Sequence, residues 1–135
     1  MDAMGGAVGV LAGLGLWALL QVPQDLPPLG LPEDAPALVE VEGTYRAMVE
    51  ALRTGDRRAL LRLTHSLRRQ LLPNPLRPLP PDEARQFDAC RPTRPVFRAQ
   101  EDEITYLLIC EAAGERAEQF FTIRRDRDGV WRIIP

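Results

Sequence analysis

The run from Ala3 to Val22, AMGGAVGVLAGLGLWALLQV, carries no charge and is long enough to cross a bilayer. At a rise of about 1.5 Å per residue, twenty helical residues span about 30 Å, the thickness of a hydrocarbon core. Only Met1 and Asp2 precede the run, so the basic n-region of a secretory signal is missing. Leu19, Leu20, Gln21 and Val22 stand where a cleavage site would need small residues, and no cysteine follows to take a lipid. Residues 1–22 therefore read as an uncleaved signal anchor. A cleaved export signal and an apolar tail buried in a protein partner are the alternatives.

Gly5, Gly9 and Gly13 recur every four residues, so in a helix they share one face. Small residues on one face let a second membrane helix approach closely. Glycine is also common in membrane helices generally, which explains the same residues without a partner. The expected partners are the lipid bilayer and another transmembrane protein. Trp17 falls where an indole would sit at the lipid–water boundary. The expected location is a single pass through the cell membrane, with the soluble part extracytoplasmic.

Residues 23–34 continue into a stretch with prolines at 23, 27, 28, 32 and 36, a composition that favours a semi-rigid extended spacer. The remaining 35–135 are enough for one small domain. All 17 basic residues are arginine, against 19 acids, for a net charge of −2. That balance argues against a nucleic-acid partner, which would demand a basic domain. The two cysteines, Cys90 and Cys110, lack metal-ligand spacing and have one histidine, His65, to support them. They read as a disulfide in an oxidising compartment or as two buried thiols.

Apolar residues at helical spacing, Leu38, Val41, Tyr45, Met48, Val49 and Leu52, predict a first helix over 35–54. Gly55 and Asp56 then serve as terminator and cap. A second helix is predicted over 57–72, burying Leu60, Leu63, Thr64, Leu67 and Leu71. Its opposite side carries Arg57, Arg58, Arg62, Arg68 and Arg69, with His65 solvated among them. This arginine stripe reads as a solvated face, with anionic lipid or an acidic partner as the alternative. Pro73–Pro81 is a rigid connector, and a short helical turn is predicted over 82–88. Strands follow at 96–100, 103–112, 116–125 and 130–134, with an Asp128-Gly129 turn before the last. Trp131 is expected to plug the helix–sheet interface. Helices first and a strand meander afterwards predict an α+β domain, helices packed on one face of an antiparallel sheet.

The segments TYRAMVEALRTGDRRALLRL (Thr44–Leu63) and DGVWRIIP (Asp128–Pro135) bracket most of this domain. Their order resembles that of the nuclear-transport-factor-2-like (cystatin-like) superfamily. The resemblance implies a curved antiparallel sheet wrapping the long helix around a conical pocket. The candidate lining residues are Tyr45, Met48, Tyr106 and Trp131. Some members are ketosteroid isomerases or polyketide cyclases, and many others are tethered or secreted modules. In the isomerases a tyrosine lies eight positions before the Gly-Asp aspartate; here that position is Met48, which cannot donate a hydrogen bond. The base expected after the second helix is also missing, since Leu72–Pro81 contains no acid. No phosphate loop, nucleophile elbow or metal motif is present, and no cofactor is expected. The expected function is a non-enzymatic, membrane-anchored module that binds a partner protein or scaffolds a complex. A cone-pocket enzyme and a secreted binding domain are the alternatives.

Overall fold

Strand formation is strongest where the sequence alternates, and EITYLLICEA sits at the centre of the sheet. The computed structural model describes residues 30–135. The predicted anchor, its Gly5, Gly9 and Gly13 face and the first part of the spacer lie outside them. Helix α1 spans Leu38–Thr54, α2 Arg57–Leu63, a 3₁₀ helix Ser66–Leu71 and α3 Pro81–Asp88. Four strands follow: β1 Cys90–Gln100, β2 Glu103–Ala112, β3 Glu115–Arg125 and β4 Trp131–Ile134. They form one antiparallel sheet in the order β1-β2-β3-β4. The architecture is α+β. No helix among the described residues is long and apolar enough to cross a membrane.

Helix α1 starts three residues later than predicted. Ala35 N–H closes a turn onto Pro32 O, and the Glu40 carboxylate reaches back to the Ala37 N–H as the helix begins. It ends at Gly55, whose φ of 72° is left-handed. A Cβ there would stand 3.0 Å from Leu76 O and from Pro78, so glycine also lets the proline-rich connector lie against the helix end. Leu79 N–H then donates to Leu52 O at 3.0 Å. Asp56 caps α2 through Ala59 N–H at 3.0 Å, as its position predicts.

The second helix departs from prediction. It stops at Leu63 because Thr64 turns extended and pairs in parallel with Ile133, at the free edge of β4. His65 N–H donates to Ile133 O at 2.8 Å, and the Thr64 hydroxyl donates to Leu60 O at 2.7 Å. An edge strand's unpaired backbone groups thus outcompete continuation of an isolated helical pattern. The chain re-enters a 3₁₀ helix with a different phase. Leu67 and Leu71, predicted to be buried, are therefore 57% and 62% exposed, and His65, predicted to be solvated, is buried at 4%.

Strand β1 begins six residues earlier than predicted. Pro92 and Pro95 argue against a strand from sequence alone, yet β1 lies at the sheet edge, where a missing N–H is tolerated. Register shifts flank both prolines. The other strands and α3 fall within a residue or so of prediction. Ile104, Tyr106 and Leu108 of β2 join Phe121, Ile123 and Ile133 against Val41, Tyr45 and Val49 of α1. That cluster is the core.

Cys90 faces Cys110 directly across β1 and β2, and the two form a disulfide with Cα atoms 3.9 Å apart. A cross-link spanning 20 residues stabilises by about 3 kcal/mol in the chain-entropy estimate. Reducing it should lower the unfolding free energy by about that amount, measured by urea unfolding with and without reductant. A loss below about 1 kcal/mol would mean that the reduced chain already holds the hairpin.

Candidate functional site

The four pocket candidates occupy different surroundings. Tyr45 and Tyr106 are 1% and 2% exposed within the core, and Met48 packs partly buried against it. The Tyr45 hydroxyl donates to Phe87 O at 2.8 Å, and its ring meets Phe121 edge-on at 5.3 Å. Burial pushes this hydroxyl up to about 12, against the pull of the adjacent Arg46 guanidinium. It keeps its proton and spends it on the α3 carbonyl. Burial also raises Tyr106. Trp131 is half-buried and borders a surface groove of about 380 Å³ with Asp34, Glu40, Thr44 and Val130. The Arg125 guanidinium lies 5.1 Å over its ring and also pairs with Asp34 at 3.2 Å.

A second polar region surrounds Asp126, in a depression of about 400 Å³ shared with His65, Ser66, Arg124 and Arg127. The Asp126 carboxylate accepts from Ser66 N–H at 2.9 Å, Ser66 Oγ at 2.7 Å, Arg127 N–H at 2.8 Å and Arg132 Nη1 at 3.0 Å. Burial opposes its ionisation, but the Ser66 and Arg127 hydrogen bonds overcome that and hold it far below the usual carboxylate range. Asp128 is held at about 2, chiefly by the Arg132 guanidinium. His65 Nδ1 accepts from Leu67 N–H at 3.2 Å, which leaves Nε2 to carry the proton toward Arg125 O at 3.3 Å. Ser66 is bonded to the aspartate rather than to the histidine, so the trio is no nucleophile–base pair. Its chemistry is that of a joint between the 3₁₀ helix and the β3–β4 turn.

The third region is the sheet face turned away from α1. Leu107 stands opposite Phe120, and Thr105 lies between Phe97 and Thr122. Directly opposed residues share a face. Phe97 and Phe120 are 57% and 68% exposed, while Leu107 and Ile109 on the same face are buried. The two threonine hydroxyls share a hydrogen bond of 2.9 Å. Ion pairs rim the apolar centre: Arg91 with Glu111, Arg116 with Glu118, and Arg124 with Asp102. Large exposed aromatics inside a charged border are the composition of a protein-binding surface. The sequence carried a signal for it. In the doublet Phe120-Phe121 successive strand residues point to opposite faces, so one of the two must leave the core.

No family model, curated protein or solved structure matches the chain.

Replacing Asp126 with alanine strands the donors from Ser66, Arg127 and Arg132, and should cost about 2–3 kcal/mol in urea unfolding. Because the folded aspartate titrates lower than the unfolded one, its contribution is full above about pH 4 and drains as the pH falls below that. The Asp126→Ala variant should therefore show a flatter acid limb of stability against pH than the wild type. Parallel acid limbs would contradict the assignment.

Proposed function

We propose that the chain is a membrane-tethered, non-catalytic binding module of the nuclear-transport-factor-2-like type, which receives a protein partner on its open sheet face. The observation that carries this reading is the pair Phe97 and Phe120, each more than half exposed on a sheet face bordered by charges, where Leu107 and Ile109 are themselves buried. Burying such side chains at an interface releases apolar surface from water, and aromatic residues dominate binding energy at interfaces. The Cys90–Cys110 disulfide fits an oxidising, extracytoplasmic compartment. The apolar run Ala3–Val22 supplies the tether. The commitment of the Tyr45 hydroxyl to Phe87 O favours a packing role for the tyrosine one turn before Met48, the residue at the position of an isomerase's oxyanion donor.

The test is affinity capture of the full chain from its native membranes in mild detergent. The wild type should retain a stoichiometric partner. The double variant Phe97→Ser/Phe120→Ser should reduce retention about tenfold or more, with the melting temperature lowered by only a few degrees because both rings are more than half exposed. Equal capture by the double variant would contradict the sheet-face assignment.

A further inference from the structure

Among the described residues, seven of the seventeen arginines pair with carboxylates, six lie in an acid-free stretch, and Arg46, Arg94, Arg98 and Arg127 lie elsewhere without a carboxylate partner. Arg53, Arg85, Arg91, Arg116, Arg124, Arg125 and Arg132 each pair with a carboxylate. Residues 57–81 hold six arginines and no acid, leaving eleven arginines against nineteen acids, a charge of −8, on the rest. Among the described residues none of these six pairs with a carboxylate. Arg57 and Arg69 hold backbone carbonyls, Pro73 O at 2.8 Å and Thr64 O at 3.0 Å. Arg58, Arg62 and Arg68 are exposed. Of the nearby acids, Asp56 caps α2, Asp126 is buried in its own hydrogen bonds, and Asp102 and Asp128 are held by Arg124 and Arg132.

The break at Thr64 exposes apolar groups beside Arg68 in the 3₁₀ helix. Leu67 and Leu71 are exposed in the 3₁₀ helix, and Arg68 and Leu71, three apart, eclipse one another along it. Leucines that insert beside arginines that reach up to phosphate are the arrangement of an interfacial membrane contact. An acidic protein would use the arginines but has no need of the leucines.

We infer that α2 and the 3₁₀ helix, through Arg58, Arg62, Arg68, Leu67 and Leu71, dock on an anionic lipid surface. The inference rests on the tether reading, because a patch of this size binds durably only as a second signal beside an anchor. Pro32 to Ala35 are held on the domain by the Ala35 N–H to Pro32 O turn and the Asp34–Arg125 pair, so the seven residues 23–29 give at most about 25 Å of reach between the expected anchor and the domain. Docking by this patch leaves the Phe97–Phe120 face free, since Thr64 and His65 lie along the β4 edge and not over the sheet.

The experiment uses the full chain in vesicles of phosphatidylcholine alone and of phosphatidylcholine with phosphatidylglycerol, at low and high salt. The readout is hydrogen exchange of the amides from 66 to 72. Phosphatidylglycerol should slow their exchange about tenfold or more at low salt, and high salt should remove the difference. The variant Arg58→Gln/Arg62→Gln/Arg68→Gln should lose this protection while its β2 amides exchange as in the wild type. Flotation with phosphatidylcholine vesicles at high salt reads the tether separately. Failure of that flotation overturns the tether reading and the docking inference with it, whereas flotation retained without the phosphatidylglycerol-dependent protection overturns the docking inference alone. Equal exchange in both lipids, or protection retained by the triple variant, overturns the inference and leaves the arginines to an acidic protein.

Discussion

The free edge of β4 decides the shape of this domain. A four-residue strand at the end of a sheet leaves backbone groups that must find partners. Thr64 and His65 supply them through the Ile133 pairing, and in doing so they end α2 one residue earlier than the edge contact itself. Asp126 locks the arrangement from the other side. Its buried carboxylate takes hydrogen bonds from the first residue of the 3₁₀ helix, from the β3–β4 turn and from β4. An ionised buried group holds such a joint firmly because each of its hydrogen bonds is charge-assisted. One edge and one aspartate therefore set where helices, turn and sheet meet.

The two proposed surfaces follow from that joint. Because the helical phase restarts after His65, Leu67 and Leu71 emerge among arginines instead of entering the core. Because α1 fills the inner face with Val41, Tyr45 and Val49, the outer face is left with Phe97 and Phe120 uncovered. Under the proposed tether, the first surface would face lipid and the second a protein. Both proposals concern binding, and both draw on exposed apolar groups beside charged ones.

Much of the fold was legible in the sequence. The alternation of β2, the Gly55-Asp56 junction and the Asp128-Gly129 turn are local signals whose chemistry tolerates few readings, and each lies where its residues predict. The disulfide was legible only as one of two options, since pairing depends on β1 lying opposite β2. Three features were hidden because their causes are not local. The prolines at 92 and 95 obscure β1 until its place at the sheet edge is known. The helix break at Thr64 is set by Ile133, nearly seventy residues away. The burial of His65 follows from that break, so a histidine counted with surface arginines is an interior one. The outer-face aromatics were legible as a doublet, but not as a surface, until the sheet's uncovered side was known.

Pairing of Thr64–His65 with β4 belongs to the folded core and is not a marginal loop contact. Native-state hydrogen exchange of the His65 amide tests it most directly, because that N–H is the donor to Ile133 O. This amide should exchange only through global unfolding, with the same free energy as the amides of Tyr106 and Leu108 in β2. Exchange as fast as that of the exposed turn around Gly114 would contradict it.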